Sequence, residues 1–328
     1  MQVYLLLTEK CNLNCDMCIR GRQNGDEISY EALKKIFASQ SFKCHDVILT
    51  GGEPTLHPDF FKILKLVADK AKTVTVTTNG TLKSRLEKLP HVGEKVSFQV
   101  SVDGDEIFHD KIRGKGNFQK TFSTIHYLDE KSFKYSIASV VNQDNLQSMF
   151  NLQKIVESLP NLKHWKISYE MPFGNASLKN SLAVDDWNAF VDEIIKTTHC
   201  KLLIKKLFPF KLYDKNWEKL HALVQTGHRI KNCGGGRDKI YVYPDLKVYP
   251  CTCLKNFCVG NLENETLEEI LSSNALKPFV EYKPSEESEC QNCKYKIFCN
   301  GGCIGMSWHK FKKMGMGDAR CPRLSKLI

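Results

Sequence analysis

At 328 residues, with 42% hydrophobic and 26% charged side chains, the chain has room for one large α/β domain and a smaller module. Lys and Arg number 47 against 37 Asp and Glu, and the net charge of +10 favours acidic partners; no basic block is interleaved with aromatics, so a solvated lysine-rich surface is expected and nucleic-acid binding is not. The opening MQVYLLLTEK is too short and too poor in basic residues for a signal peptide, and no apolar run approaches a membrane span, which predicts a cytoplasmic chain with no membrane partner.

Residues 3–8 read as a buried strand, 29–39 as a helix capped by Ser29, 46–51 as a strand and 58–71 as a helix with proline at its start. Further strands are predicted over 73–80, 95–104, 134–142 and 164–172, with helices near 118–130, over roughly 145–159 and over 184–199. Six strand–helix units in alternation argue for a parallel sheet with helices outside, and in a curled parallel sheet the chemistry belongs at the C-terminal strand ends. Past residue 200 the pattern changes to a hairpin over 238–251, turning at Pro244-Asp245, a helix over 266–282, and short loops between cysteines. Such a stretch cannot bury a large core and is expected to need metal to fold.

In a cytoplasmic chain, 14 cysteines read as metal ligands or catalytic groups rather than disulfides. Three lie at Cys11, Cys15 and Cys18, and nine fall between Cys233 and Cys321. Cys44 and Cys200 read as plain buried thiols. The first three follow the first strand as C-x3-C-x2-C, a soft-ligand set suited to an iron–sulfur cluster or zinc. Zinc would want a fourth ligand nearby, and Cys44 and His45 sit at the opposite end of the sheet. After the second strand comes TGGEP, whose consecutive glycines permit close backbone approach to a ligand and whose Glu53 offers an acceptor for a cationic group. TTNG and SVDG, after strands three and four, put Thr78, Asn79, Ser101 and Asp103 on the same rim, small polar groups suited to a ribose or an amino acid.

C-x3-C-x2-C followed by Gly-Gly-Glu-Pro on a six-unit α/β sheet resembles the radical S-adenosylmethionine (SAM) superfamily over roughly residues 1–200. The resemblance implies a partial (β/α)6 TIM-type barrel over 1–205. It assigns Cys11, Cys15 and Cys18 to a [4Fe-4S] cluster whose fourth iron is left for SAM. Met17 takes the position near the adenine, Gly51, Gly52 and Glu53 receive the methionyl amino group, and Asn79 joins the cofactor rim. Ser101, Asp103 and Arg113 hold the ribose and carboxylate; a surface arginine is the other reading of Arg113. Downstream, CQNCKYKIFCNGGC is similar to the SPASM extension with two auxiliary [4Fe-4S] clusters, expected over 233–328 after a linker at 206–232. That resemblance assigns Cys290, Cys293, Cys299 and Cys321 to an outer cluster. Cys233, Cys251 and Cys303 go to an inner one, completed by Cys253 or Cys258. Leu246 stands where the family's hairpin usually has glycine. C-x2-C spacing by itself would also permit a zinc ribbon.

With three [4Fe-4S] clusters and SAM, the resemblance implies an enzyme that makes a 5′-deoxyadenosyl radical and abstracts hydrogen from a peptide or protein residue. A maturase of a ribosomally made peptide is expected, with an acidic precursor compatible with the charge and reduced flavodoxin or ferredoxin as electron donor. A sulfatase-maturing, formylglycine-forming enzyme is the alternative; it would need a proton acceptor, for which Glu170 at the end of strand six is the candidate. A non-catalytic iron–sulfur or zinc protein is the alternative of another class. A first strand at residue 3 leads us to expect no N-terminal recognition domain.

Overall fold

A computed structural model describes the chain except residues 22–24, 90–92, 178–179, 227–233 and 325–328. Cys233 therefore lies outside the described residues. The first half runs β1 (Gln2–Thr8), α1 (Tyr30–Ser39), β2 (Asp46–Gly51), α2 (Phe60–Lys70), β3 (Thr73–Thr78), α3 (Lys83–Leu86) and β4 (Val96–Ser101). It continues through α4 (Glu106–Arg113), α5 (Asn117–Glu130), β5 (Tyr135–Val141), α6 (Ser148–Glu157), β6 (Leu162–Tyr169) and α7 (Val184–Thr197). Neighbouring strands from β1 to β6 pair in parallel. Their residues alternate across the sheet: Val3, Leu5 and Leu7 join the main core with the helices, while Leu6 packs with Tyr241 and Tyr243 on the other face. Ser29 caps α1 by accepting from the Ala32 amide, as its sequence position predicts.

The alternation is less regular than the sequence pattern suggests. The third unit has only the single turn α3. The fourth has two helices, because Gly114 and Gly116 adopt φ of +98° and +77° between α4 and α5. The expected helix over 266–282 is broken into α10 (Leu267–Ser272), a 3-10 turn at Asn274–Leu276 and α11 (Lys277–Val280). The Ser272 hydroxyl bonds back to the Glu268 carbonyl and Ser273 turns extended, so the helix stops there. Cys44 is exposed and Cys200 half-buried, so neither is the buried thiol expected; Cys44 sits in the turn entering β2, with its sulfur 3.3 Å from the His45 ring.

The second half joins the first through the sheet itself. A two-residue β7 (Leu202–Leu203) extends the far edge beside β6. Two helices, α8 (Phe210–Lys215) and α9 (Trp217–Gln225), then lead into a hairpin of β8 (Lys239–Val242) and β9 (Lys247–Tyr249), with β10 (Gly260–Asn261) beside it. β8 pairs in parallel with β1, so among the described residues one ten-stranded sheet runs β10-β9-β8-β1 through β7. The hairpin turn falls at the predicted place. Leu246 adopts φ +61° there, the left-handed conformation glycine usually supplies, with its side chain buried in the main core. The chain ends in cysteine-bearing loops around α12 (Lys296–Cys299) and α13 (Ile304–Phe311).

Candidate functional site

The Cys11–Cys18 loop leaves the C-terminal end of β1 and is held from three sides. From β2, the Gly52 amide donates to the Thr8 carbonyl at 2.7 Å and the Glu53 amide to the Lys10 carbonyl at 2.9 Å. A Cβ on Gly51 would stand 2.3 Å from the Thr8 oxygen, and one on Gly52 2.3 Å from the Lys10 oxygen. The glycines thus admit the neighbouring backbone, where the sequence suggested a ligand. From β3, the Asn79 amide group reaches Asn12 at 3.0 Å and the Cys11 sulfur at 4.0 Å. From beyond β6, Asn175 donates its backbone N–H to the Cys18 carbonyl and its side chain to the Cys15 carbonyl, both at 2.9 Å. Gly174, at φ +69°, lies so close that a Cβ would meet the Cys18 oxygen at 2.3 Å. Neither Gly174 nor Asn175 carries a motif signal, which is why sequence reasoning missed them.

Glu53 is buried and fully engaged. One carboxylate oxygen accepts from the Thr55 amide, the Thr55 hydroxyl and the Thr78 hydroxyl at 3.2, 2.7 and 2.9 Å; the other accepts from the Asn79 amide at 2.7 Å. Burial raises its pKa, against the pull of these donors. The side chain ties the ends of β2 and β3 together. Asp103, 0% exposed, is engaged likewise: it accepts from the Val140 amide at 2.7 Å and from Arg113 at 2.5 Å. Arg113 is therefore no surface residue. It leaves α4 toward the cysteine loop, close enough to draw the Cys15 thiol's pKa down against burial, which pushes it up to about 11. His109 supports this pair by accepting from the Asp103 amide at 3.4 Å, and burial holds its pKa down to about 4. Met17 is buried, and Ser101 is half-buried at the end of β4.

A polar cavity of about 380 Å³ opens beside the loop, lined by Asp16, Met17, Asn142, Asp144 and Glu170 among others. Glu170 is buried, accepts from Asn142 at 2.9 Å, and has its pKa raised by burial.

The distal cysteines form two groups. Cys290, Cys293, Cys299 and Cys321 line one small cavity together with Phe208, Phe210 and Asp318. Gly317 packs so tightly there that a Cβ would come within 2.8 Å of the Cys290 sulfur. Around Gly305, a Cβ would stand 3.0 Å from the Cys253 Cβ and 3.6 Å from the Cys303 sulfur. The Cys253 amide reaches the Cys251 sulfur at 3.5 Å, which brings Cys251, Cys253 and Cys303 together. Cys258 is exposed and turns to the Gly260 carbonyl. Between the groups, buried Asp318 accepts from the Cys303 amide at 3.0 Å and from Arg320, whose guanidinium covers Tyr169.

The donor set fits iron–sulfur clusters. None of the thirteen described cysteines forms a disulfide, and ten of them gather as one trio, one quartet and one further trio, with Cys44, Cys200 and Cys258 outside.

The profile of the Radical SAM superfamily matches residues 5–152, and that of an iron–sulfur cluster-binding domain, SPASM, matches residues 233–294. The sporulation killing factor maturation protein SkfB of Bacillus subtilis is 33% identical over 312 residues, spanning 92% of this chain and 68% of SkfB. The chain belongs to the radical SAM superfamily. This radical SAM enzyme is also 28% identical over 328 residues to the antilisterial bacteriocin subtilosin biosynthesis protein AlbA of B. subtilis, covering 94% of this chain and 68% of AlbA. Its fold is that of Streptococcus suis SuiB, solved with the precursor peptide SuiA, at a TM-score of 0.76 and 17% identity over 98% of this chain and 75% of SuiB. The architecture is therefore a radical SAM barrel with a C-terminal SPASM domain, and its cofactors are SAM and iron–sulfur clusters. Among the described residues no helix is long and apolar enough to cross a membrane.

Proposed function

We propose that this radical SAM enzyme modifies a residue of a ribosomally made precursor peptide in the cytoplasm. The observation that carries the reading is the clasped cysteine loop at the C-terminal rim, with a roomy polar cavity opening directly beside it. The relatives SkfB and AlbA, named for maturation of a sporulation killing factor and for bacteriocin biosynthesis, support it. When bound, SAM and its cluster supply a 5′-deoxyadenosyl radical. Cys11, Cys15 and Cys18 would hold that cluster. Because the Glu53 carboxylate is taken up by four donors, the methionyl amine goes to main-chain oxygens of Gly51–Glu53, and Glu53 serves as their strut. Arg113, oriented by Asp103, takes the SAM carboxylate, with Ser101 at the ribose, Met17 near the adenine and Asn79 bracing Cys11.

Residues 1–205, 206–232 and 233–328 are the barrel, linker and SPASM units. Cys290, Cys293, Cys299 and Cys321 hold the outer auxiliary cluster. Cys251, Cys253, Cys303 and Cys233 hold the inner one, with Cys253 favoured over Cys258 by its place beside Cys303. Glu170 is the acidic group facing substrate, and reduced flavodoxin or ferredoxin is the donor.

Three clusters amount to about twelve irons per chain. Cys253→Ser is expected to remove the inner cluster's signal in electron paramagnetic resonance and up to about four irons, while Cys258→Ser keeps both. The function is tested by incubating anaerobically reconstituted, reduced protein with SAM and measuring 5′-deoxyadenosine, then by mass spectrometry of a co-expressed precursor peptide. Loss of two hydrogens marks a cross-link or oxidation. Zinc in place of iron and no 5′-deoxyadenosine would refute the reading.

A further inference from the structure

The four-cysteine group at the far end of the molecule lies under an unusual cover. No residue of α8 or α9 is buried, although both helices sit directly over the cysteine loops. Aromatic stacking holds them there. Phe210 stacks on Tyr295 with ring centres 4.4 Å apart, Tyr213 meets Phe298 at 5.2 Å, and Trp217 meets Phe298 edge-on at 5.1 Å. Lys294 lies over the Trp217 and Tyr295 rings and bonds Asp214 at 2.6 Å. Phe208 and Phe210 themselves line the cavity of Cys290, Cys293, Cys299 and Cys321. One layer of aromatic side chains thus separates this quartet from the outer surface of the helices.

That outer surface is basic. Residues 205–226 carry five lysines against Asp214 and Glu218; Lys206 is paired with Asp192 and Asp214 with Lys294. Lys211 and Lys215 in α8 and Lys219 in α9 are exposed, and no ion pair to a described residue engages them. Leu212, 52% exposed, and Ile297, 37% exposed, add apolar surface at this end. A positive face with a little apolar surface and a redox site one side chain below matches electron-transfer proteins, whose contacts are small, transient and steered by charge.

We propose that the face formed by α8, α9 and α12 is the docking surface for an acidic, low-potential electron-transfer protein. The proposal rests on the four cysteines holding a cluster. One electron leaves the reduced carrier, which is oxidised, and is taken up beneath Phe210 and Tyr213; no bond is made or broken. An acidic precursor peptide would meet the same charge, but a binding site for it gains nothing from lying above the quartet, whereas a carrier's transfer rate depends on that proximity.

The test uses the reconstituted holoenzyme under anaerobic conditions, without SAM or peptide, so it is independent of the substrate reading. Stopped-flow absorbance follows bleaching of the iron–sulfur bands by a reduced, acidic flavodoxin, with reduced methyl viologen, a small cation, as control. For Lys211→Glu/Lys215→Glu/Lys219→Glu, flavodoxin-driven bleaching at low salt is expected to fall at least about 10-fold. Iron content should stay at the parental level and the viologen rate should not fall. In the unmodified enzyme, raising salt from about 20 to about 500 mM should slow the flavodoxin reaction and not the viologen one, which keeps the test decisive if the triple variant loses iron. A flavodoxin rate within about twofold of the parent, or a parental rate indifferent to salt, would overturn the proposal. So would a variant that keeps the flavodoxin rate yet no longer binds an acidic precursor peptide, which would make the face a peptide site.

Discussion

Replacing Glu53 by glutamine changes one atom and should cost far more than its size suggests. The carboxylate receives three donors on one oxygen and the Asn79 amide on the other, all in a buried setting. In glutamine one of those oxygens becomes an NH2. Placed toward Asn79, it sets donor against donor and strands a buried backbone N–H; flipped, it strands the Thr55 amide instead, and the two hydroxyls must turn to accept. A stranded buried donor costs about 1–3 kcal/mol, and the remaining bonds lose the strengthening that charge provides, so the expected loss is about 3 kcal/mol. Hydrogen exchange of the Asn79 and Thr55 amides reads this locally: their protection should fall roughly 150-fold, as 1.4 kcal/mol is about tenfold. Protection within about twofold of the parent would refute the idea that Glu53 is the strut joining β2 and β3.

Arg113→Met strands the buried Asp103 carboxylate and should destabilise by about 3–5 kcal/mol in chemical denaturation. Asp103→Asn/Arg113→Met should regain most of that, because asparagine still accepts from the Val140 amide, while SAM affinity by equilibrium dialysis stays at least about 10-fold down. Leu246→Gly relieves a left-handed leucine, worth about 1–2 kcal/mol, but removes a buried side chain worth about 2–5, so thermal unfolding should show net destabilisation and not the gain that a glycine-preferring turn suggests. His109 has a folded pKa of about 4, below its ordinary 6.5, so the unfolded chain binds the proton first as pH falls. Its contribution is present above pH 6.5 and lost toward pH 4, to a limit of about 3 kcal/mol; His109→Gln should show a shallower loss of stability between pH 7.5 and 5 than the parent.

Much of the site is legible in the order of residues along the chain. Cys11, Cys15 and Cys18, the Gly-Gly-Glu-Pro turn and the strand-end residues Asn79, Ser101 and Asp103 announce themselves because each depends on local spacing after a strand. What those residues do is less legible. Glu53 and Asp103 look like ligands for a cofactor when counted along the chain, yet their carboxylates are consumed by protein donors 25 and 37 residues away. The glycines look ready for a ligand and also admit the loop of β1. Asn175 and Gly174 carry no motif at all and act only because the fold returns them to the cysteines.

Local sequence dictates the strands, most of the helices and the positions of the cysteine loops, because backbone sterics and the period of apolar residues act over a few neighbours. Long-range packing is what sets β8 against β1 and so carries the SPASM hairpin into the main sheet. It also puts Cys253 beside Cys303 and turns Cys258 away, and it lays α8 and α9 over Cys290, Cys293, Cys299 and Cys321. These outcomes rest on contacts between residues tens to hundreds of positions apart, where packing and hydrogen-bond satisfaction choose among arrangements that local pattern leaves equal.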